Sequence, residues 1–464
     1  MASNENKGFP NSYMFLKPED ARFRDLLHVL YSRNLGNRKF VDSHEGSMEE
    51  SFRQRWLIFV SLMVQKILLF VKTPLSFFGT CVEMLVNMVA LNGGFFMMLI
   101  NLLTGHLVIP DRESPKYLSC IGNLDRRVKL NIVNREDSKY HVSLAMMASK
   151  ASYENAAYLK YTITHEWKME FVGFYDCWNE YQRRANTEVL VFLDKDTYVV
   201  AFRGTEPFDA DDWCTDLDIS WYGIPGVGKM HGGFMKALGL QKNVGWPKEI
   251  QRDERLPPFA YYVIRDILKK RLSENDKAKF ILTGHSLGGA LAILFSTILF
   301  LHDETLLIER LQGIYTFGQP RVGDEEYARY MKQKLKENSI MYCRFVYCND
   351  IVPRLPYDDK DLLFKHFGVC LFFNRRYELR VLEEEPNKNY FSPWCVIPMT
   401  LNSILELMRS FTIAYINGPH YREGWLLFGF RLVGLVLPGL PSHGPQEYIN
   451  STLLGTIESH FKVD

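Results

Sequence analysis

The chain has 464 residues, enough for one catalytic unit with an accessory region. Its 55 Lys+Arg against 54 Asp+Glu leave a formal charge of +1, so no global field favours nucleic acid or another strongly charged partner. The eight cysteines are scattered without disulfide-scaffold spacing or the CxxC pairs of a zinc site; they are expected as reduced thiols in a cytosol-facing protein, and no cofactor or metal is implied.

Residues 1–55 form a polar segment, with Glu19, Asp20, Arg22, Arg24 and Asp25 where a signal peptide would need an apolar run. Residues 56–110 are apolar, and Lys66, Lys72 and Glu83 are the only charges between Trp56 and Ile109. Residues 84–104 carry none, a length that satisfies the test for a membrane helix. Asn87, Asn92, Gly93, Gly94 and Asn101 weaken insertion, so a buried helical hairpin is the competing reading of this membrane or lipid-surface anchor. Pro74 and the Gly93-Gly94 pair predict interruptions, which fit a re-entrant hairpin as well as a single span.

Beyond Pro110 to Pro115, residues 111–464 read as a globular catalytic domain in which β-branched runs alternate with helical stretches, the pattern of an α/β fold. Residues 189–193 and 198–202 predict a hairpin, 258–272 an amphipathic helix, 280–283 a short buried strand and 286–301 a helix. Further strands are expected at 313–317 and 342–347, a helix at 325–335, and a strand pair at 368–373 and 377–382.

The segment Gly284-His285-Ser286-Leu287-Gly288 lies at the predicted strand-to-helix corner. A serine there adopts strained dihedrals that expose its hydroxyl, and glycines two residues on either side remove clashing side chains. G-x-S-x-G alone is a weak signal, but with a strand before it and a helix after it Ser286 becomes a candidate nucleophile. The helix N-terminus also favours a developing oxyanion. His285, inside the corner, is of a kind that more often packs than catalyses.

Four blocks then carry a family resemblance: Phe202-Arg203-Gly204-Thr205, His231-Gly232-Gly233-Phe234, residues 283–289, and Asn349-Asp350-Ile351-Val352-Pro353-Arg354-Leu355-Pro356, with residues 315–323 between the last two. From about Ser143 onward the chain resembles the class 3 (fungal-type) triacylglycerol lipases, and within them the plant oil-body lipases. The resemblance implies an α/β-hydrolase-type core with a mostly parallel central sheet, a Ser-Asp-His triad and a mobile lid.

In such a fold the acid follows the nucleophile at a later strand exit, which leaves Asp324 and Asp350. Asp324 is expected to cap the helix at 325–335, whereas Asp350 follows strand 342–347 directly and precedes a proline-fixed loop, so Asp350 is the expected acid. The base comes from His366, His420, His443 and His460. His366 follows the acid too soon and His460 falls in an expected terminal helix; His443 looks like the family's C-terminal catalytic histidine, with His420 as the alternative. The matching oxyanion positions are the N–H of Leu287 and the N–H and hydroxyl of Thr205, although Thr205 alone would read as a turn residue.

Residues 207–219 mix Asp209, Asp211, Asp212, Asp216 and Asp218 with Phe208, Trp213, Leu217 and Ile219 and resemble the family's lid; an ordinary surface helix is the competing reading. An apolar insertion at 396–440 is expected to shape the acyl pocket or touch lipid, as against forming extra core. The resulting expectation is a lipase acting on acylglycerols, foremost triacylglycerol, at a lipid-droplet (oil-body) surface or adjoining endoplasmic reticulum membrane, with its catalytic domain facing the cytosol. The alternatives are an A1-type phospholipase or galactolipase and a catalytically silent lipase-like binding protein.

Overall fold

The structure, a computed structural model, describes residues 12–32, 35, 38–43, 51–241, 245–250, 255–356, 364–387, 390 and 392–456. His460 lies outside the described residues.

Eight strands form the central sheet: β1 (Glu170–Asn179), β2 (Arg184–Asp194), β3 (Thr197–Phe202), β4 (Lys279–His285), β5 (Leu311–Phe317), β6 (Met341–Tyr347), β7 (Val369–Phe373) and β8 (Leu379–Leu382). They lie in chain order from one edge to the other. β3 to β7 run parallel, while β1 and β2 precede them as an antiparallel meander and β8 turns back antiparallel to β7. This is the mostly parallel α/β sheet expected, with β1 as a strand that the residue pattern did not reveal.

Parallel neighbours require crossovers, and the helices Ala260–Glu274, Leu287–Leu301 and Glu325–Glu337 provide them between β3 and β6. Because successive strand residues point to opposite faces, Val200 and Leu282 pack on one side with Leu268, Phe295 and Met331. Their neighbours Val199 and Ile281 pack on the other with Leu144, Met147 and Tyr448. The helix Leu287–Leu301 is buried almost throughout, which explains its apolar character on every face. Asp324 caps the helix Glu325–Glu337 by accepting from the Tyr327 N–H at 2.9 Å.

A second, four-stranded antiparallel sheet pairs Ser12–Leu16 with Val41–Ser43 on one side and Trp221–Ile224 on the other, followed by Gly228–His231. Part of the polar N-terminal segment is thereby stitched to the residues that follow the candidate lid.

The apolar anchor candidate folds as one helix, Phe52–Leu91, that continues through Pro74 and ends just before Gly93-Gly94, ahead of a short helix Phe95–Leu103. The break expected at Pro74 does not occur. An interior proline costs about 3 kcal/mol, and tertiary contacts on both sides offset it: Ser61 and Gln65 before it, Gly79 and Asn87 after it, are all buried. The helix turns its polar residues toward the body. Lys66 donates to the carbonyls of Pro18 and Ala21, Lys72 pairs with Asp211 at 2.5 Å, and Glu83 accepts from the Cys120 N–H at 2.7 Å. Asn87 exchanges hydrogen bonds with the Leu118 backbone, and Asn92 accepts from Val108 and Asn101. Many large apolar side chains of the two helices nevertheless face outward, Phe70 of the long one being 87% exposed and Leu103 of the short one 86%.

The insertion shows the same polarity. Its first helix, Pro393–Asn417, leaves Trp394, Ile397, Leu401, Met408 and Tyr415 exposed. Inward, Glu406 and Arg409 enter a buried charge network with Tyr347, Arg431 and Glu447.

Candidate active site

Ser286 sits between β4 and the following helix at φ +59°, a region an L-residue occupies only when its surroundings impose it. Its N–H is held by the Phe317 carbonyl at 2.8 Å. The flanking glycines are required by close approach: a Cβ on Gly284 would lie 2.1 Å from the Gly288 carbonyl carbon, and one on Gly288 would lie 2.1 Å from the Phe202 oxygen.

Three of the expected residues converge, although they lie far apart in the chain. Ser286 Oγ lies 2.8 Å from His443 Nε2, and His443 Nδ1 lies 2.8 Å from Asp350 Oδ2. Since Nδ1–H donates to the carboxylate, Nε2 is left as an acceptor for the Ser286 hydroxyl. Asp350 is fully buried; its Oδ1 accepts from the Val352 N–H at 2.9 Å, and its Oδ2 also accepts from the Tyr448 hydroxyl. His420 is elsewhere, beside Asn131 at 2.8 Å, and His366 is buried against the Pro353 carbonyl.

Residues not anticipated from the sequence support this chain. Tyr448 holds Asp350, and its only advance signal was its place just after the His443 loop. At Gly318, φ is +60° and a Cβ would lie 2.9 Å from both Asp350 Oδ2 and the His443 ring, so any larger residue would intrude on the His–Asp pair. His285 is buried and its ring lies against that of His443, tilted by 30° with centroids 4.6 Å apart. Burial, reinforced by His443, holds its pKa well below the usual imidazole range.

Thr205 is buried and lines the same cavity as Ser286 and His443. Its hydroxyl lies 2.7 Å from Asp216 Oδ2, so the side chain faces the candidate lid. Burial pushes the Asp216 carboxyl up to about 8, which keeps it protonated at neutral pH. A protonated Asp216 can donate to Thr205 Oγ1, leaving the Thr205 proton free to serve the cavity. Leu287, the other oxyanion candidate, opens the helix, where the first N–H groups lack intrahelical partners.

Within residues 207–219 the helix is Ala210–Leu217, capped by Asp209. Its acids point inward and are engaged: Asp209 pairs with Arg184 at 2.5 Å, Asp212 accepts from Gln182 and Asn186, and Asp218 accepts from Ser220. Phe208 and Trp213 instead line a cavity of about 430 Å³ that opens on Ser286 and His443. The cavity's other walls are mainly apolar, from Phe78 and Val82 of the long helix and from Leu426, Phe430 and Val433 of the helix Trp425–Val433.

The class 3 lipase family model matches residues 199–360. Triacylglycerol lipase OBL1 of Arabidopsis thaliana is 42% identical, with 98% of this chain and 96% of the relative covered. The proteins of the same name from Nicotiana tabacum and Ricinus communis are 40% and 33% identical, over 87% and 96% of this chain and 84% and 95% of their own. With such identity carried across nearly the whole length, this chain belongs to the class 3 lipase family.

Proposed function

We propose that this protein is a serine ester hydrolase that cleaves fatty acyl esters of acylglycerols, foremost triacylglycerol, at the surface of a lipid droplet or the adjoining endoplasmic reticulum membrane. The observation that carries the reading is the hydrogen-bonded line Ser286–His443–Asp350 opening into an apolar cavity. The curated relatives over nearly the full chain are named triacylglycerol lipases, which supports the substrate class.

In the proposed cycle His443 Nε2 takes the Ser286 proton as Oγ attacks the ester carbonyl, while Asp350 fixes the tautomer and stabilises the imidazolium. The tetrahedral oxyanion is met by the N–H groups of Leu287 and Thr205 and by the Thr205 hydroxyl. Collapse expels the glyceride alkoxide, which takes the proton back from His443, and leaves an acyl-Ser286. A water deprotonated by His443 then releases the fatty acid and restores Ser286.

Placement at lipid is supported by the outward apolar faces of the helices Phe52–Leu91, Phe95–Leu103 and Pro393–Asn417. At about 1.5 Å per residue the 40-residue helix is about 60 Å long, twice the hydrocarbon thickness. Its polar contacts with the body extend from Arg55 to Asn87, which favours a helix lying along a lipid surface over one crossing it.

The test is hydrolysis of a panel of tri-, di- and monoacylglycerols, phospholipids and galactolipids by the wild type and Ser286→Ala. Acylglycerol turnover abolished by Ser286→Ala is expected. Turnover confined to phospholipids or galactolipids would overturn the substrate class, and failure of Ser286 to react with a fluorophosphonate would point to a silent binding protein.

A further inference from the structure

The cavity at Ser286 is closed by two helices that lie outside the matched residues 199–360: Phe52–Leu91 and Trp425–Val433. Both also carry large side chains exposed to the surroundings, among them Phe70 and Phe77 on the first and Leu432 on the second. Each helix therefore has one set of apolar residues facing the cavity and another facing outward.

On the wall from the second helix, one position differs from its neighbours. Leu426, Phe430 and Val433 present branched or aromatic side chains to the cavity, whereas Gly429 presents none. Gly429 lines the cavity yet is exposed, so it stands at the cavity's open side; a Cβ there meets no atom within 4 Å, and a larger residue extends this wall without meeting packed protein. Gly429 lies inside a helix, and leucine or tryptophan at such a position carries no penalty of helix propensity relative to glycine. The long helix lines the same cavity: Val82 is half-buried, and Phe78 meets the Phe208 ring edge-on at 5.7 Å.

We infer that the space left by Gly429, in the cavity that Phe78 and Val82 also line, sets the length of acyl chain the enzyme accepts. The inference rests on the reading of Ser286 as nucleophile and names the residues that select its substrate. The acyl chain of the ester, and later of acyl-Ser286, lies along this wall, so its methylenes leave water only as far as the wall gives them room. Each methylene refused burial weakens discrimination for the longer ester by roughly fourfold. The selecting residues thus stand on the same helices that face lipid, while Ser286, His443 and Asp350 supply the chemistry.

The experiment uses the full chain with p-nitrophenyl butyrate and p-nitrophenyl palmitate dispersed in the same detergent, comparing kcat/KM for wild type, Gly429→Leu, Gly429→Trp and Val82→Trp. The palmitate-to-butyrate ratio is expected to fall at least tenfold in Gly429→Trp and Val82→Trp, with Gly429→Leu between them and the wild type. Fluorophosphonate labelling of Ser286 identifies variants that are folded with an intact nucleophile. An unchanged ratio in labelled Gly429→Trp and Val82→Trp would overturn the inference, as would equal losses on both esters with labelling retained. The underlying reading fails separately, if Ser286→Ala hydrolyses either ester at the wild-type rate.

Discussion

His285 Nε2 lies 2.9 Å from the backbone carbonyl of His443, so the residue next to the nucleophile in sequence grips the main chain of the proposed base 158 residues away. A carbonyl can only accept, which makes Nε2 the donor and leaves Nδ1 to accept from the Tyr153 hydroxyl at 3.0 Å. Burial keeps the ring neutral, as this bonding pattern requires. His285 is thus a positioning residue, and His285→Ala should lower kcat by about a hundredfold through loosened His443 geometry, with KM little changed. His285→Gln, which retains a donor, should recover part of the loss. Steady-state kinetics on a soluble ester decide it; a kcat within threefold of wild type for His285→Ala would remove the role.

Tyr448 donates to buried Asp350, so Tyr448→Phe strips a charged acceptor of one partner. Such a loss costs about 1.5–3 kcal/mol. Denaturant unfolding should show a decrease of that size, and ester turnover should fall with it. Asp350→Asn should reduce kcat far more, by about 10⁴-fold, because the amide can donate to Nδ1 and impose the wrong tautomer on His443.

Asp216 gives a pH dependence with a definite sign. Its carboxyl is held at about 8 in the folded protein against about 4 when unfolded. Below about pH 4 both states are protonated and its contribution is fully present. Between about 4 and 8 the unfolded state releases a proton the folded state keeps, so stability falls as pH rises, by up to about 1.4 kcal/mol per pH unit. Asp216→Asn should remove this slope in unfolding midpoints measured from pH 5 to 9. It should also abolish a decline in turnover above about pH 8, where an ionised Asp216 would capture the Thr205 hydroxyl as a donor. Parallel curves for wild type and variant would exclude both effects.

The long helix is fastened to the candidate lid. Ser61 Oγ donates to the Leu217 carbonyl at 2.7 Å, Lys72 pairs with Asp211, and a Cβ on Gly79 would lie 2.5 Å from Phe208 Cβ. Removing residues 1–110 should therefore reduce hydrolysis even of dissolved p-nitrophenyl butyrate, besides releasing the protein from lipid. A truncated chain with full activity on that ester would show the helix to be a detachable anchor.

The outward faces can be tested without touching the cavity. Phe70→Glu with Phe96→Glu places two charges on a strongly exposed apolar surface, and flotation with triacylglycerol droplets should drop at least tenfold. Turnover of a dissolved ester should be retained. Undiminished flotation would shift the lipid contact to the Pro393–Asn417 face.

What the sequence determined by itself was local. The elbow at Ser286 is legible because a buried strand, two glycines and an apolar helix must follow one another within a few residues. Asp324 as a helix cap was legible for the same reason, since a cap is satisfied by an N–H three positions on. The parallel strands announced themselves as short apolar runs separated by helices. The choice of His443 over His420 was different in kind: it leaned on likeness to a family, because a hydrogen bond across 157 residues leaves no periodicity to read. Tyr448, Gly318 and the grip of His285 on His443 were likewise invisible, for each acts through a partner supplied by the folded chain. The apolar stretch at 56–110 suggested a lipid contact, yet its composition could not say which residues would face the body. Only the tertiary structure decided that: packing against the lid and the Leu118–Cys120 backbone turned its charges and asparagines inward, carried the helix through Pro74 and set Phe78 and Val82 beside the acyl cavity.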